Sequence, residues 1–127
     1  MRLFFAITFP PSVRLSLIRI QDHIRSSAVR GNFTREANIH LTLAFLGEVP
    51  SGEVENLCSI MDQLDGKPFT LPINCIGYFG RDIWWAGAAC DADLAYVQAQ
   101  LASKLRTAGY RVDERPFSPH ITLARQV

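Results

Sequence analysis

Ile39-His40-Leu41-Thr42-Leu43-Ala44-Phe45-Leu46-Gly47 decides the reading of this chain, because it returns near the far end as Pro119-His120-Ile121-Thr122-Leu123-Ala124-Arg125. In each stretch a His and a Thr stand two apart within a run of apolar and β-branched residues. A strand alternates its side chains between two faces, so each motif offers an imidazole and a hydroxyl on one face. With three His in 127 residues, two such pairs are expected in about 0.7% of shuffled sequences. Each pair is also followed by Leu-Ala, which makes the echo a signal.

The segments around the motifs repeat as well. A buried strand, a long amphipathic helix and a His-x-Thr strand are expected at 3–9, 12–30 and 39–47, and again at 83–89, 91–108 and 119–125. The first strand ends at Pro10-Pro11 and reads as buried on both faces. Val13, Leu17, Ile20, Ile24 and Ala28 form the apolar side of the first helix, with Arg14, Arg19, Gln21 and Arg25 elsewhere and Gly31-Asn32 as its stop. Ser51 is the expected N-cap of a further helix whose stripe is Val54, Leu57, Cys58, Met61 and Leu64, stopped at Asp65-Gly66. Phe69 to Asn74 alternates as a strand, with Pro72 at an edge or bulge. Gly77 to Asp82 then reads as the turn of a hairpin into Ile83–Ala89. Asp91 or Asp93 caps the last helix, with Leu94, Val97, Leu101, Leu105 and Ala108 inward and Gly109 closing it. The fold class expected is α/β of the α+β type. It is one domain, 1–127, in which βαβ-like halves at about 1–50 and 83–127 are related by a pseudo-twofold.

Composition bounds the function. A chain 48% hydrophobic and 20% charged is ordinary for a globular protein. A net charge of +1 argues against a protein that coats duplex nucleic acid and leaves room for a small anionic ligand. Cys58, Cys75 and Cys90 make an odd number without a Cys-x-x-Cys pair, so they read as reduced core thiols. The apolar start is broken by Thr8 and Pro10-Pro11 and carries no cleavage signal, and no stretch approaches a membrane span. The cytoplasm is the expected compartment, with no membrane partner.

Histidine exchanges protons near neutral pH. Two of them flanking a phosphodiester can divide the work, one taking the proton of the attacking oxygen and the other protonating the departing oxygen. Thr42 and Thr122 would donate to the non-bridging oxygens. His23 is expected on the polar side of the first helix, and no Cys or acidic residue joins either motif at ligand spacing; neither a metal nor a cofactor is expected. There is no Gly-x-Ser-x-Gly elbow. Strict alternation sends Arg125 to the face away from His120 and Thr122, so it reaches a phosphate there if the strand ends or twists. Phe9, Phe45, Tyr78 and Phe117 offer rings for base stacking, but core packing is the expectation for each.

The paired motifs His40-Leu41-Thr42-Leu43 and His120-Ile121-Thr122-Leu123 resemble those of the two-histidine (2H) phosphoesterases. Met1-Arg2-Leu3-Phe4-Phe5-Ala6, His40 to Gly47 and Pro116 to Arg125 resemble more closely the bacterial RNA 2′,3′-cyclic phosphodiesterases, also called 2′-5′ RNA ligases, and the likeness runs the whole length. The resemblance implies a bilobal fold with an antiparallel sheet in each lobe and both motifs lining a central cleft. It implies hydrolysis of a 2′,3′-cyclic phosphate at an RNA end to a 2′-phosphomonoester. On the matching positions, His40 becomes the proton donor to the leaving 3′ oxygen, His120 the acceptor that activates water, and Thr42 and Thr122 phosphate ligands; Arg125 is kept as a further substrate-binding candidate. Family members continue past the second motif for several dozen residues that add strand structure, whereas this chain stops at Val127. The expectation is a shortened C-terminal part and a monomer with an open sheet edge that permits self-association.

Two rivals follow from the same residues. One is another enzyme of the superfamily, acting on a different cyclic or 2′-5′-linked nucleotide or joining RNA ends. The other is a module that binds RNA ends without turnover.

Overall fold

Pro10 ends one element and Pro11 begins the next. Pro11 is the first residue of helix α1 (Pro11–Ser27), where a missing N–H costs nothing, and Pro10 supplies the carbonyl that receives the amides of Val13 and Arg14 at 3.0 and 3.1 Å. The computed structural model describes residues 1–27, 31–65, 69, 71, 73, 75–79, 83–87, 92–113 and 116–125. The other elements, in chain order, are β1 (Arg2–Ile7), β2 (Asn32–Phe33), β3 (Leu41–Glu48), α2 (Val54–Asp62), β4 (Cys75–Phe79), β5 (Ile83–Gly87), α3 (Ala92–Thr107) and β6 (His120–Arg125), with 3-10 turns at Glu36–Asn38 and Ser51–Glu53. The fold is α+β with antiparallel strands.

The chain divides into two compact units. One comprises Met1–Ala6, Thr42–Pro72 and Cys90–Ser118. There β1 lies beside β3, α2 packs on α3, and Leu57, Ile60, Leu94, Leu101 and Leu105 are buried. Gly109, at φ 92°, closes α3 in a conformation glycine adopts without a steric penalty.

The other unit comprises Ile7–Leu41, Ile73–Ala89 and Pro119–Val127. β4 pairs with β5 from Cys75↔Gly87 to Phe79↔Ile83. β5 pairs with β6, and β6 pairs on its other side with Leu41 at the start of β3 and with β2. Leu17, Ile39, Leu41, Ala86, Ile121, Leu123 and Ala124 form its buried core.

Several expectations are corrected. The first strand is not buried on both faces: β1 alternates exposed and half-buried side chains. The stripe of α2 has a different phase, with Leu57 and Ile60 buried while Val54, Cys58 and Met61 are exposed, so Cys58 is not a core thiol. Ser51 lies within a 3-10 turn and caps nothing with its side chain. The first hairpin strand is Cys75–Phe79, so Gly77 is in a strand and not in the turn. Gln21 is not on the outside of α1 but 4% exposed. Phe45 and Tyr78 are 50% and 63% exposed, and so are surface rings. Asp93 sits inside the first turn of α3. The expectations for Ala28, Gly66, Pro72, Asp82, Ala88, Ala89, Cys90 and Asp91 lie outside the described residues.

Candidate active site

His40 is placed by what surrounds it in sequence. Ile39 and Leu41, 2% and 0% exposed, turn inward, which sends the imidazole between them to the opposite side. The 3-10 turn Glu36–Asn38 ends two residues earlier, and its last carbonyl, Asn38 O, meets His40 Nδ1 at 2.7 Å. A carbonyl can only accept, so the ring carries a proton on Nδ1. Thr42, two residues along, is half-buried.

His120 opens β6 across from Gly87 of β5. Gly87 is there for space: a Cβ would lie 2.7 Å from the Pro119 carbonyl oxygen and 2.8 Å from the Trp85 ring. Gly77, directly across from Trp85, would bring a Cβ to within 2.5 Å of the same indole. The two glycines thus let Trp85 lie flat across β4 and β5, with its ring edge-on to His120 at 6.3 Å and 62°.

The register joins the two motifs. Leu41 pairs with Ile121, antiparallel, and both are fully buried. An antiparallel ladder carried one residue past that pair would set His40 opposite Thr122, with His120 as its diagonal neighbour. His40, His120 and Thr122 are all half-buried and share the face away from Leu41 and Ile121.

One irregularity changes where Arg125 points. Trp85 pairs with Thr122 but Trp84 pairs with Ala124, so β6 carries Leu123 as an extra residue. Leu123 and Ala124 are consecutive and both 0% exposed, and the next side chain, the exposed Arg125 opposite Asn32, returns to the face of His120 and Thr122. A bulge shifts the alternation by one. Strict alternation had sent Arg125 to the other face.

Behind the bulge lies a polar group that sequence reasoning passed over. Gln21 Nε2 donates to the carbonyls of Thr34 and Leu123 at 2.7 and 2.8 Å. Thr34 donates through its amide to Leu123 O at 2.9 Å and through Oγ1 to Thr122 O at 2.9 Å. Gln21 follows Leu17 by four residues and so falls on the same helix face; that spacing was the available signal.

His23 is exposed on α1. In the other unit a cavity of about 250 Å³ is lined by Leu46, Glu48, Glu53, Tyr110 and Arg111 among others. There Tyr110 donates to Glu53 at 2.6 Å, a bond that lowers the Glu53 carboxyl pKa, with help from Asn56, and raises that of the phenol. Among the described residues no three His, Cys, Asp or Glu are grouped to hold a metal, and no helix is long and apolar enough to cross a membrane.

The model of the LigT like phosphoesterases matches residues 7–85 and 88–126, and the chain belongs to that family. It is similar to the RNA 2′,3′-cyclic phosphodiesterase of Escherichia coli, at 34% identity over 98% of this chain and 71% of that protein. To the enzyme of the same name from Geobacillus stearothermophilus it is 33% identical over 97% of this chain, but it spans 41% of that protein. The crystal structure of E. coli LigT in apo form superposes with a TM-score of 0.83 at 34% identity, covering 99% of this chain and 72% of that one. E. coli LigT complexed with 3′-AMP matches with the same score.

Proposed function

We propose that this chain hydrolyses the 2′,3′-cyclic phosphodiester at an RNA end to a 2′-phosphomonoester, with His40 as general acid and His120 as general base. Water attacks phosphorus as His120 takes its proton; the bond from phosphorus to the 3′ oxygen breaks as His40 gives a proton to that oxygen. Exchange with solvent then resets both rings. The observation that carries the reading is the Leu41↔Ile121 register, which supports one shared face for the two imidazoles. The contact from His40 Nδ1 to the Asn38 carbonyl supports Nε2 as its working nitrogen in either charge state.

Thr42 and Thr122 donate to the non-bridging oxygens in this reading, and Arg125 adds positive charge on the same side as Thr122. The names of the relatives agree with RNA as the substrate class. The test is phosphorus NMR of a 2′,3′-cyclic mononucleotide incubated with the protein and a chelator. A 2′-phosphate product is expected. A 3′-phosphate product, or tight binding of a cyclic-ended oligonucleotide without turnover, would contradict the assignment.

A further inference from the structure

At the bulge, the consecutive carbonyls of Thr122 and Leu123 accept hydrogen bonds from Thr34 and Gln21. A buried carbonyl without a donor is costly, and here the donors come from the far side of the chain. Gln21 is 4% exposed, the one buried polar side chain among the described residues. It gives one amide hydrogen to Leu123 O and the other to Thr34 O. Thr34 is thereby fixed with its own amide on Leu123 O and its hydroxyl on Thr122 O.

We infer that Gln21 and Thr34 are positioning residues: together they hold the β6 bulge in the form that turns Arg125 to the face of His120 and Thr122, and so set the affinity of that face for a phosphate group. The inference rests on the phosphate-binding reading above. Neither side chain needs to meet the ligand. Without the bulge, alternation would carry Arg125 to the buried side, where Ile121 and Leu123 point. Relaxing the bulge therefore removes a cation from the face without removing it from the protein.

The experiment uses inorganic phosphate as the probe, its dissociation constant read from the ring NMR signals of His120. Thr34→Val keeps size and β-branching but removes the hydroxyl donor, and should weaken phosphate binding about tenfold. Thr34→Ser should restore it to within about twofold. In an Arg125→Ala background the same Thr34→Val change should cost less than about twofold, because the group it aims is gone. Gln21→Met, which removes both amide donors at similar volume, should behave like Thr34→Val; if it does not fold, the Thr34 pair still decides. Equal losses in the two backgrounds, or no loss from Thr34→Val, would overturn the inference. Phosphate binding needs no turnover, so a protein that binds phosphate but forms no product would refute the hydrolytic reading and leave the clamp standing.

Discussion

Leu41 lies directly across from Ile121 in an antiparallel pair, and neither exposes any surface. Two residues buried on one face force their neighbours to the other, which is how imidazoles eighty positions apart in sequence come to share a side. His40→Ala and His120→Ala should each lower kcat by about 10²–10⁴-fold, with far-ultraviolet circular dichroism unchanged. Full activity in both variants would rule out paired acid–base catalysis.

Arg125 is exposed and in the proposed reaction acts by charge, so its loss should differ from that of a histidine. Arg125→Ala is expected to raise KM several-fold, with kcat nearly held, and to flatten the dependence of kcat/KM on salt. Steady-state kinetics at two ionic strengths checks this. A fall in kcat to the level of the histidine variants would give Arg125 a role in the chemical step.

Trp85 occupies space that Gly77 and Gly87 leave open. Gly77→Ala would set a Cβ 2.5 Å from the indole, and Gly87→Ala would set one 2.7 Å from the Pro119 carbonyl, just before His120. Each substitution should destabilise by about 1–3 kcal/mol, measured by urea unfolding. Gly87→Ala should in addition lower kcat, because the displaced backbone carries the imidazole. Gly52→Ala, where a Cβ would meet nothing within 4 Å, is the control.

The pair Glu53 and Tyr110 makes stability depend on pH. The Glu53 carboxyl is held below its ordinary pKa, first by the phenol of Tyr110 and then by the Asn56 amide. Its contribution is therefore complete above the ordinary carboxyl range and is lost as pH falls through the lowered value. The Tyr110 phenol is raised by the same bond, so its contribution is complete below the ordinary phenol value and is lost as pH climbs through the raised one. Tyr110→Phe should lower the thermal midpoint near neutrality and converge on the unaltered protein in acid. A constant difference across the acid range would show that the bond contributes nothing that titrates.

Much of this was legible in the sequence. The motif strands carry their own pattern, and in α3 the residues Leu94, Leu101 and Leu105 are read correctly because large apolar groups at helical spacing leave one choice of inner face. α2 was misread because Val54, Cys58 and Met61 offer a second stripe of similar strength, and packing against α3 chose Leu57 and Ile60. Gly77 looks like a turn until Trp85, its partner across the hairpin, is seen to need the room. The bulge at Leu123 has no local signature, since it exists as a mismatch with Trp84 and Trp85. Gln21 reads as lying off the apolar side of α1, and its partner carbonyl lies 102 positions away.

In the proposed reaction His40 and His120 serve one phosphate. A titration with a 2′-nucleotide, followed on the ring signals of all three histidines, tests that directly. The signals of His40 and His120 should move together along one binding curve, with a single dissociation constant, while that of the exposed His23 on α1 stays in place. Two separate curves, or a shift confined to one of the two motif histidines, would contradict it.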